Sequence, residues 1–134
     1  YLASQVKQAP TLNASQLVKD YLTTQLRPLN REVFAVLFLT NQLTLIQYEV
    51  LFTGGISSCS VCVREVLRCA LKYGASQLII AHTHPSASAT ASQADLEITR
   101  SLAKACQLVD MTLIDHIIVG QDGTLSLQET GKMP

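Results

Sequence analysis

Residues 78–95 read LIIAHTHPSASATASQAD. An apolar run, Leu78 to Ala81, ends in His82 and His84, and Pro85 follows directly. A short apolar run bounded by turn-forming residues reads as a buried strand. Side chains alternate along a strand, so His82 and His84 share one face and Thr83 points to the other. Small residues fill positions 86–91, and Ser92 then opens an amphipathic helical pattern with Asp95 in its first turn. Strand tip and helix start are close in sequence, which lets Asp95 fold back over the His pair. Two imidazoles and a carboxylate are ligands of the kind that leave a fourth zinc position for water. Ser92 followed by Asp95 also fits a capping box, although Asp is a weaker partner there than Glu or Gln. Capping explains Ser92 and Asp95, but not a His pair at the end of a buried strand.

Upstream, Glu32 to Leu39 is a dense apolar run after its first residue and reads as a strand. Asn41 and Gln42 turn the chain, and Leu43 to Phe52 forms a second strand. The short linker makes the two antiparallel. Gly54 and Gly55 end it. Ser57, Ser58 and Ser60 offer caps for a helix with Val63, Val66, Leu67 and Ala70 on one stripe, and Gly74 fits its stop. Nearer the start, Leu17, Val18, Tyr21, Leu22 and Leu26 predict an amphipathic helix, capped by Asn13 or Ser15 and stopped by Pro28. Residues 1–13 are polar and irregular.

Downstream, the helix from Ser92 is expected to turn Ala94, Ile98, Leu102 and Ala105 inward. Thr112 to Val119 predicts a strand, Asp122-Gly123 a hairpin turn, and Thr124 to Leu127 the returning strand. The loop at 86–91 has no bulky anchor and is expected to be mobile, and the tail to Pro134 to be loose. Helix, two strands, helix, strand, helix and strands give an α/β domain with a mixed sheet flanked by helices.

At 134 residues the chain is one domain with room for a core. Ten Lys and Arg balance ten Asp and Glu, and charged residues make up only 15%. That argues against a strong electrostatic grip on nucleic acid, so no direct binding is expected. The apolar runs are too short to span a membrane, and no signal-peptide pattern opens the chain, which predicts a cytoplasmic protein. Tyr1 stands where Met would begin a complete protein, so the chain reads as a piece of a longer one. Cys59-x-x-Cys62 is half a zinc knuckle or a redox pair, with no second close pair to complete a knuckle. Cys69 and Cys106 fall in helical patterns and read as small buried hydrophobes, with reduced thiols.

His82-x-His84, seven residues, Ser92, two residues, Asp95 resembles the metal-binding signature of the JAMM (MPN+) zinc metalloproteases. The stretches TGGISSCSVCVREVLRCAL, AHTHPSASATASQADLEITRSLAKA and MTLIDHIIVGQDGTLSLQE resemble the C-terminal domain of the bacterial RadC-like proteins. The likeness runs from about Arg31 to Glu129. It implies a cytidine-deaminase-like (JAMM) architecture over residues 31–130, with residues 1–30 as an N-terminal segment. It further implies zinc on His82, His84 and Asp95, and cleavage of an amide or isopeptide bond in a peptide or protein substrate. By the same likeness Glu32 stands where the family has its catalytic base, and Ser92 where it has its oxyanion donor. The family loop reads closer to HNHPSGDPTPS. Here Thr83, Ala87, Ser88, Ala89 and Ala91 replace its Asn, Gly, Asp and two Pro, and Val63 replaces a Pro. No ligand position is lost, so these departures bear on substrate shape and loop rigidity.

Sequence cannot place Glu32 beside the metal, and Glu49 and Glu65 stand as substitutes for the base. Glu97 lies about 200° round the helix from Asp95 and points elsewhere. A Ser hydroxyl both accepts and donates, so Ser92 can cap and serve chemistry. His116 reads as a structural hydrogen-bonding residue, with a fourth ligand or substrate contact as alternatives. Against the hydrolase stands a non-catalytic accessory module in DNA repair or recombination, suggested by the family name. A nucleobase deaminase is a third reading. Its sites pair His-x-Glu with Pro-Cys-x-x-Cys. This chain has His84 in place of the Glu, and its Cys pair precedes the His and lacks the Pro.

Overall fold

β1 (Val33–Leu39) is buried at every position, because it lies inside a sheet covered on both faces. The structure is a computed structural model that describes residues 11–54, 63–85 and 87–134, with backbone alone for 11–15. Cys59, Cys62 and the serines at 57, 58 and 60 lie outside the described residues, as do residues 1–10. Around β1 the elements are α1 (Thr11–Leu26), β2 (Leu45–Thr53), α2 (Val63–Tyr73), β3 (Gln77–His84), α3 (Gln93–Leu108), β4 (Thr112–Gly120) and β5 (Thr124–Ser126).

The strand order is β2-β1-β3-β4-β5. β1 runs antiparallel to β2 and to β3, β3 and β4 are parallel across the α3 crossover, and β5 returns antiparallel on β4. This is the mixed α/β sheet flanked by helices that the element order predicts. Val18, Leu22 and Leu26 of α1 pack with Ala35, Leu37, Ile79 and Ala81 on one face. Val66 and Ala70 of α2, with Leu102 and Cys106 of α3, cover Phe34, Val36, Phe38, Leu78 and Ile80 on the other.

Several expectations need correction. α1 begins at Thr11, ahead of both Asn13 and Ser15, since a first turn requires no apolar stripe. β2 starts at Leu45 rather than Leu43, whose φ of 64° takes it out of extended geometry. On α3, Ala94, Ile98 and Leu102 pack on the core as the apolar pattern predicts, but Asp95 and Thr99 are buried beside them, and Cys106 rather than Ala105 is the buried residue of the last turn. The tail is tied down. Lys132 N–H donates to Leu127 C=O at 2.8 Å, and Met133 packs on the core.

The loop after β3 is held through its own backbone groups rather than its own side chains. Gln121 N–H donates to Ala87 C=O at 2.8 Å, and Ala89 N–H donates to Asp122 Oδ1 at 3.0 Å. A Cβ at residue 120 would lie 2.4 Å from the Ala89 nitrogen, so only glycine lets the loop cross there.

Candidate metal centre

β3 carries both histidines at its tip, where the strand emerges from between β1 and β4. Their rings share a face, with centroids 4.7 Å apart. The helix that follows begins beside them, since a parallel β3–α3–β4 unit returns its crossover over the sheet. Ser92 caps that helix. Its hydroxyl accepts from Asp95 N–H at 3.1 Å, and the Asp95 carboxylate accepts from Ser92 N–H at 2.9 Å. The capping box therefore forms with Asp as the reciprocal partner. Ser92 Oγ also lies 2.9 Å from Asp95 Oδ2, so its proton is directed at the carboxylate.

Three donor atoms now converge. His82 Nδ1 is 2.9 Å from Asp95 Oδ1 and 3.1 Å from His84 Nε2, which is 3.4 Å from Asp95 Oδ2. A tetrahedral zinc with bonds of about 2.0–2.1 Å holds its ligands about 3.3 Å apart. A proton on His82 Nδ1 satisfies Asp95, and with that proton removed the same three groups turn lone pairs toward one point, as a cation would require. Asp95 is fully buried, His82 is 3% exposed and His84 is 13% exposed, so the triangle opens on the His84 side.

Glu32 stands on that side. It precedes β1, and the β1–β3 ladder pairs Phe34 with His82. Carrying the register two residues on sets Glu32 opposite His84 and on the same face. Ligand-type atoms of Glu32, His82 and His84 all lie within 4.8 Å of one another. Glu32 and His84 line a cleft of about 530 Å³ with Asn30, Arg31, Pro85 and Ala87. The alternative bases lie in other contacts: Glu49 accepts from the Tyr73 hydroxyl, and Glu65 pairs with Arg68. Glu97 is exposed, as its helical position predicts. Cys69 and Cys106 are free, buried thiols.

Burial pushes the Asp95 carboxyl up, but hydrogen bonds from His82 and the Ser92 amide, with the charges of His116 and His82, outweigh it and hold the group near about 2. His116 is itself driven down to about 4, mainly by burial. It is thus neutral at pH 7, so its charge is not part of the hold on Asp95 there. His116 Nδ1 lies 2.7 Å from the Thr99 hydroxyl, and its Nε2 is 3.8 Å from Asp95 Oδ1, beyond hydrogen-bond range. Nε2 of His82 and of His116 are both buried without a hydrogen-bond partner. Asp115 is occupied elsewhere, accepting from His116 N–H, Gln128 N–H and the Ser126 hydroxyl, which fixes β5 and the turn after it.

Thr99 and Thr83 carry no sequence signal of their own. Thr99 sits between Asp95 and His116, donating to the Asp95 carbonyl at 2.6 Å. Thr83 faces away from the histidines, as alternation requires, yet reaches the backbone on both sides of Glu32.

The chain matches the family described as RadC-like JAB domain over residues 12–132, a span that includes α1. It is 58% identical over all 134 residues to a UPF0758 protein of Psychrobacter sp. (strain PRwf-1), covering 59% of that protein. A UPF0758 protein of Cellvibrio japonicus (strain Ueda107) is 48% identical over 131 residues, 98% of this chain and 58% of that protein. One from Haemophilus ducreyi (strain 35000HP / ATCC 700724) is 45% identical over 129 residues, 96% and 58% respectively. The chain thus spans under two thirds of the length of these relatives. No helix among the described residues is long and apolar enough to cross a membrane.

Proposed function

Since the chain belongs to the RadC-like JAB domain family, we propose that it is a zinc-dependent amide hydrolase of the JAMM metallopeptidase or isopeptidase type. The observation that carries this reading is the convergence of His82 Nδ1, His84 Nε2 and the Asp95 carboxylate: the two nitrogens are 3.1 Å apart, His82 Nδ1 is 2.9 Å from Oδ1 and His84 Nε2 is 3.4 Å from Oδ2. Zinc held there by His82, His84 and Asp95 would act as a Lewis acid and bring the pKa of water to roughly 7. Glu32, beside the His pair at the cleft, takes the water proton and passes it to the leaving amine, a role worth on the order of 10²–10⁴ in rate. Ser92 holds Asp95 at rest. By rotating its hydroxyl out of that bond it donates to the developing oxyanion, worth on the order of 10²–10³. The cleft takes the peptide or protein chain on the exposed side of His84.

The test is metal content by elemental analysis, together with cleavage of a peptide library, for the wild type, His82→Ala and Glu32→Gln. His82→Ala should lose both metal and cleavage. Glu32→Gln should keep the metal and lose cleavage. A wild type that takes up no metal, or cleavage that survives both substitutions, would sink the proposal. An accessory role for the whole protein in DNA repair or recombination is the second reading. It is supported by the family name and by the 59% share of relatives such as the Psychrobacter protein that this chain spans.

A further inference from the structure

Thr83 separates the two histidines and lies on the opposite face of β3, 2% exposed. Its hydroxyl accepts from Val33 N–H at 2.9 Å and donates to Arg31 C=O at 3.1 Å. Those two groups belong to the residues on either side of Glu32. The β1–β3 ladder stops at the Phe34–His82 pair, so no strand pairing with β3 reaches the Glu32 segment. From the β2 side, Gly54 N–H donates to Glu32 C=O at 2.8 Å.

We propose that Thr83 is a positioning residue whose hydroxyl clamps the backbone on both sides of Glu32 and so fixes the Glu32 carboxylate against His82 and His84. The inference rests on the reading of Glu32 as the general base. The clamp uses a hydroxyl because one oxygen must donate to a carbonyl and accept from an amide at once. Without it, the buried Val33 N–H loses its partner, and the segment from Asn30 to Glu32 keeps its tie to Gly54 on the β2 side but loses the one to β3, beside the cleft it lines. β3 thus orders the site from both faces. Its even-numbered side chains supply the imidazoles, and the odd one between them aims the carboxylate.

The experiment compares Thr83→Val, which keeps the shape and removes the hydroxyl, with Thr83→Ser, which keeps the hydroxyl. Thr83→Cys, close in size but a weak donor, is a third variant should the valine form fail to fold. Three quantities are read: zinc affinity by chelator competition, hydrogen exchange of the Val33 amide, and kcat and KM of the zinc-loaded protein on a peptide that the wild type cleaves. Thr83→Val should bind zinc within about threefold of wild type, since its ligands are untouched. Its Val33 amide should exchange roughly fivefold faster, as expected when a buried hydrogen bond of about 1 kcal/mol is lost. Its kcat should fall roughly tenfold to a hundredfold with KM nearly unchanged, because misplacing a catalytic group by about 1 Å has effects of that order. Thr83→Ser should restore all three, and Thr83→Cys should fall between.

Wild-type exchange at Val33 in Thr83→Val, or in Thr83→Cys if the valine form does not fold, overturns the clamp. So does a fall in zinc affinity that matches the fall in kcat, which would make Thr83 a support for the ligands instead. Failure of the underlying reading looks different. Glu32→Gln would then retain turnover, while the Val33 exchange still decides whether the clamp exists.

Discussion

The two faces of the sheet are built from the same strands and end differently. On the α1 side, Leu37, Ile79 and Ala81 continue an apolar layer toward the tip of β3. On the α2 and α3 side, Phe38, Val36, Leu78 and Ile80 do the same, until Ile80 gives way to His82 and His84. α3 follows suit. Leu102 and Cys106 pack on the apolar part, and Asp95 and Thr99 on the polar part. The change therefore depends on position along the strand, not on which helix covers it. It falls at the carboxyl ends of parallel β3 and β4, where the crossover helix starts and where open α/β sheets place ligands. One face holds the fold together, and the end of the other is left to hold charge.

The comparison breaks most sharply under Leu37→Ala. Leu37 is fully buried in β1, an interior strand of the sheet, and faces α1. Removing three carbon-bearing groups from such a site costs about 2–5 kcal/mol through lost burial and the cavity left behind. Urea unfolding should report that loss. Zinc affinity per folded molecule should stay within about threefold, because no ligand touches that face. A parallel collapse of zinc affinity would mean the two faces are one cooperative unit and the division drawn above is wrong.

The polar face should instead show itself through pH. His116 titrates near about 4 in the fold against an ordinary 6.5, so the unfolded chain takes up a proton between those values while the folded chain does not. Its contribution is complete above about 6.5 and is lost as pH falls toward 4, a change on the order of 3 kcal/mol. Asp95, held near about 2 against 3.8, adds a further loss only below that window. Unfolding free energies measured with chelator present at pH 7.5, 5.5 and 4.5 should fall in that order. His116→Gln should flatten the slope, and Leu37→Ala should lower the curve without changing its shape. A slope that survives His116→Gln would locate the pH response outside this face.

Local pattern carried the elements and the meeting of His82, His84 and Asp95, and non-local register carried most of the rest. The apolar run into His82 and His84, the cap at Ser92 and the Asp122-Gly123 turn are all short-range signals, and each lies where its pattern puts it. The apolar pattern of α3 finds Ala94, Ile98 and Leu102, which pack on the core, but a hydrophobicity pattern skips buried polar residues, and Asp95 and Thr99 are buried beside them. Glu32 needed the β1–β3 register, whose Phe34–His82 pair joins residues 48 apart in the chain, to bring it beside the His pair, and no window in the sequence displays that register. Thr83 read as the side chain facing away. Its reach to Arg31 and Val33 depends on the same register. The loop at 87–91 looked unanchored because its anchors are backbone groups and the empty space at Gly120.

The smallest expected stability effect falls at the joint between helix and site. Ser92→Ala removes the side chain that accepts from Asp95 N–H, a capping loss of about 1 kcal/mol. It also removes the proton donated to Asp95 Oδ2, so the carboxylate is held by the residue 92 amide and His82 alone. Loosening a partner of that kind lowers metal affinity by about tenfold. Turnover separates the two roles proposed for Ser92. If it only caps and orients, kcat at saturating zinc should drop little. If its hydroxyl also reaches the oxyanion, kcat should drop by on the order of 10²–10³ while stability changes by no more than the cap. Ser92→Thr, which keeps the hydroxyl, should recover both. Set against Leu37→Ala, the proportions invert on either branch: a small loss of stability with a fall in metal affinity, as a polar strand end joined to an apolar core requires.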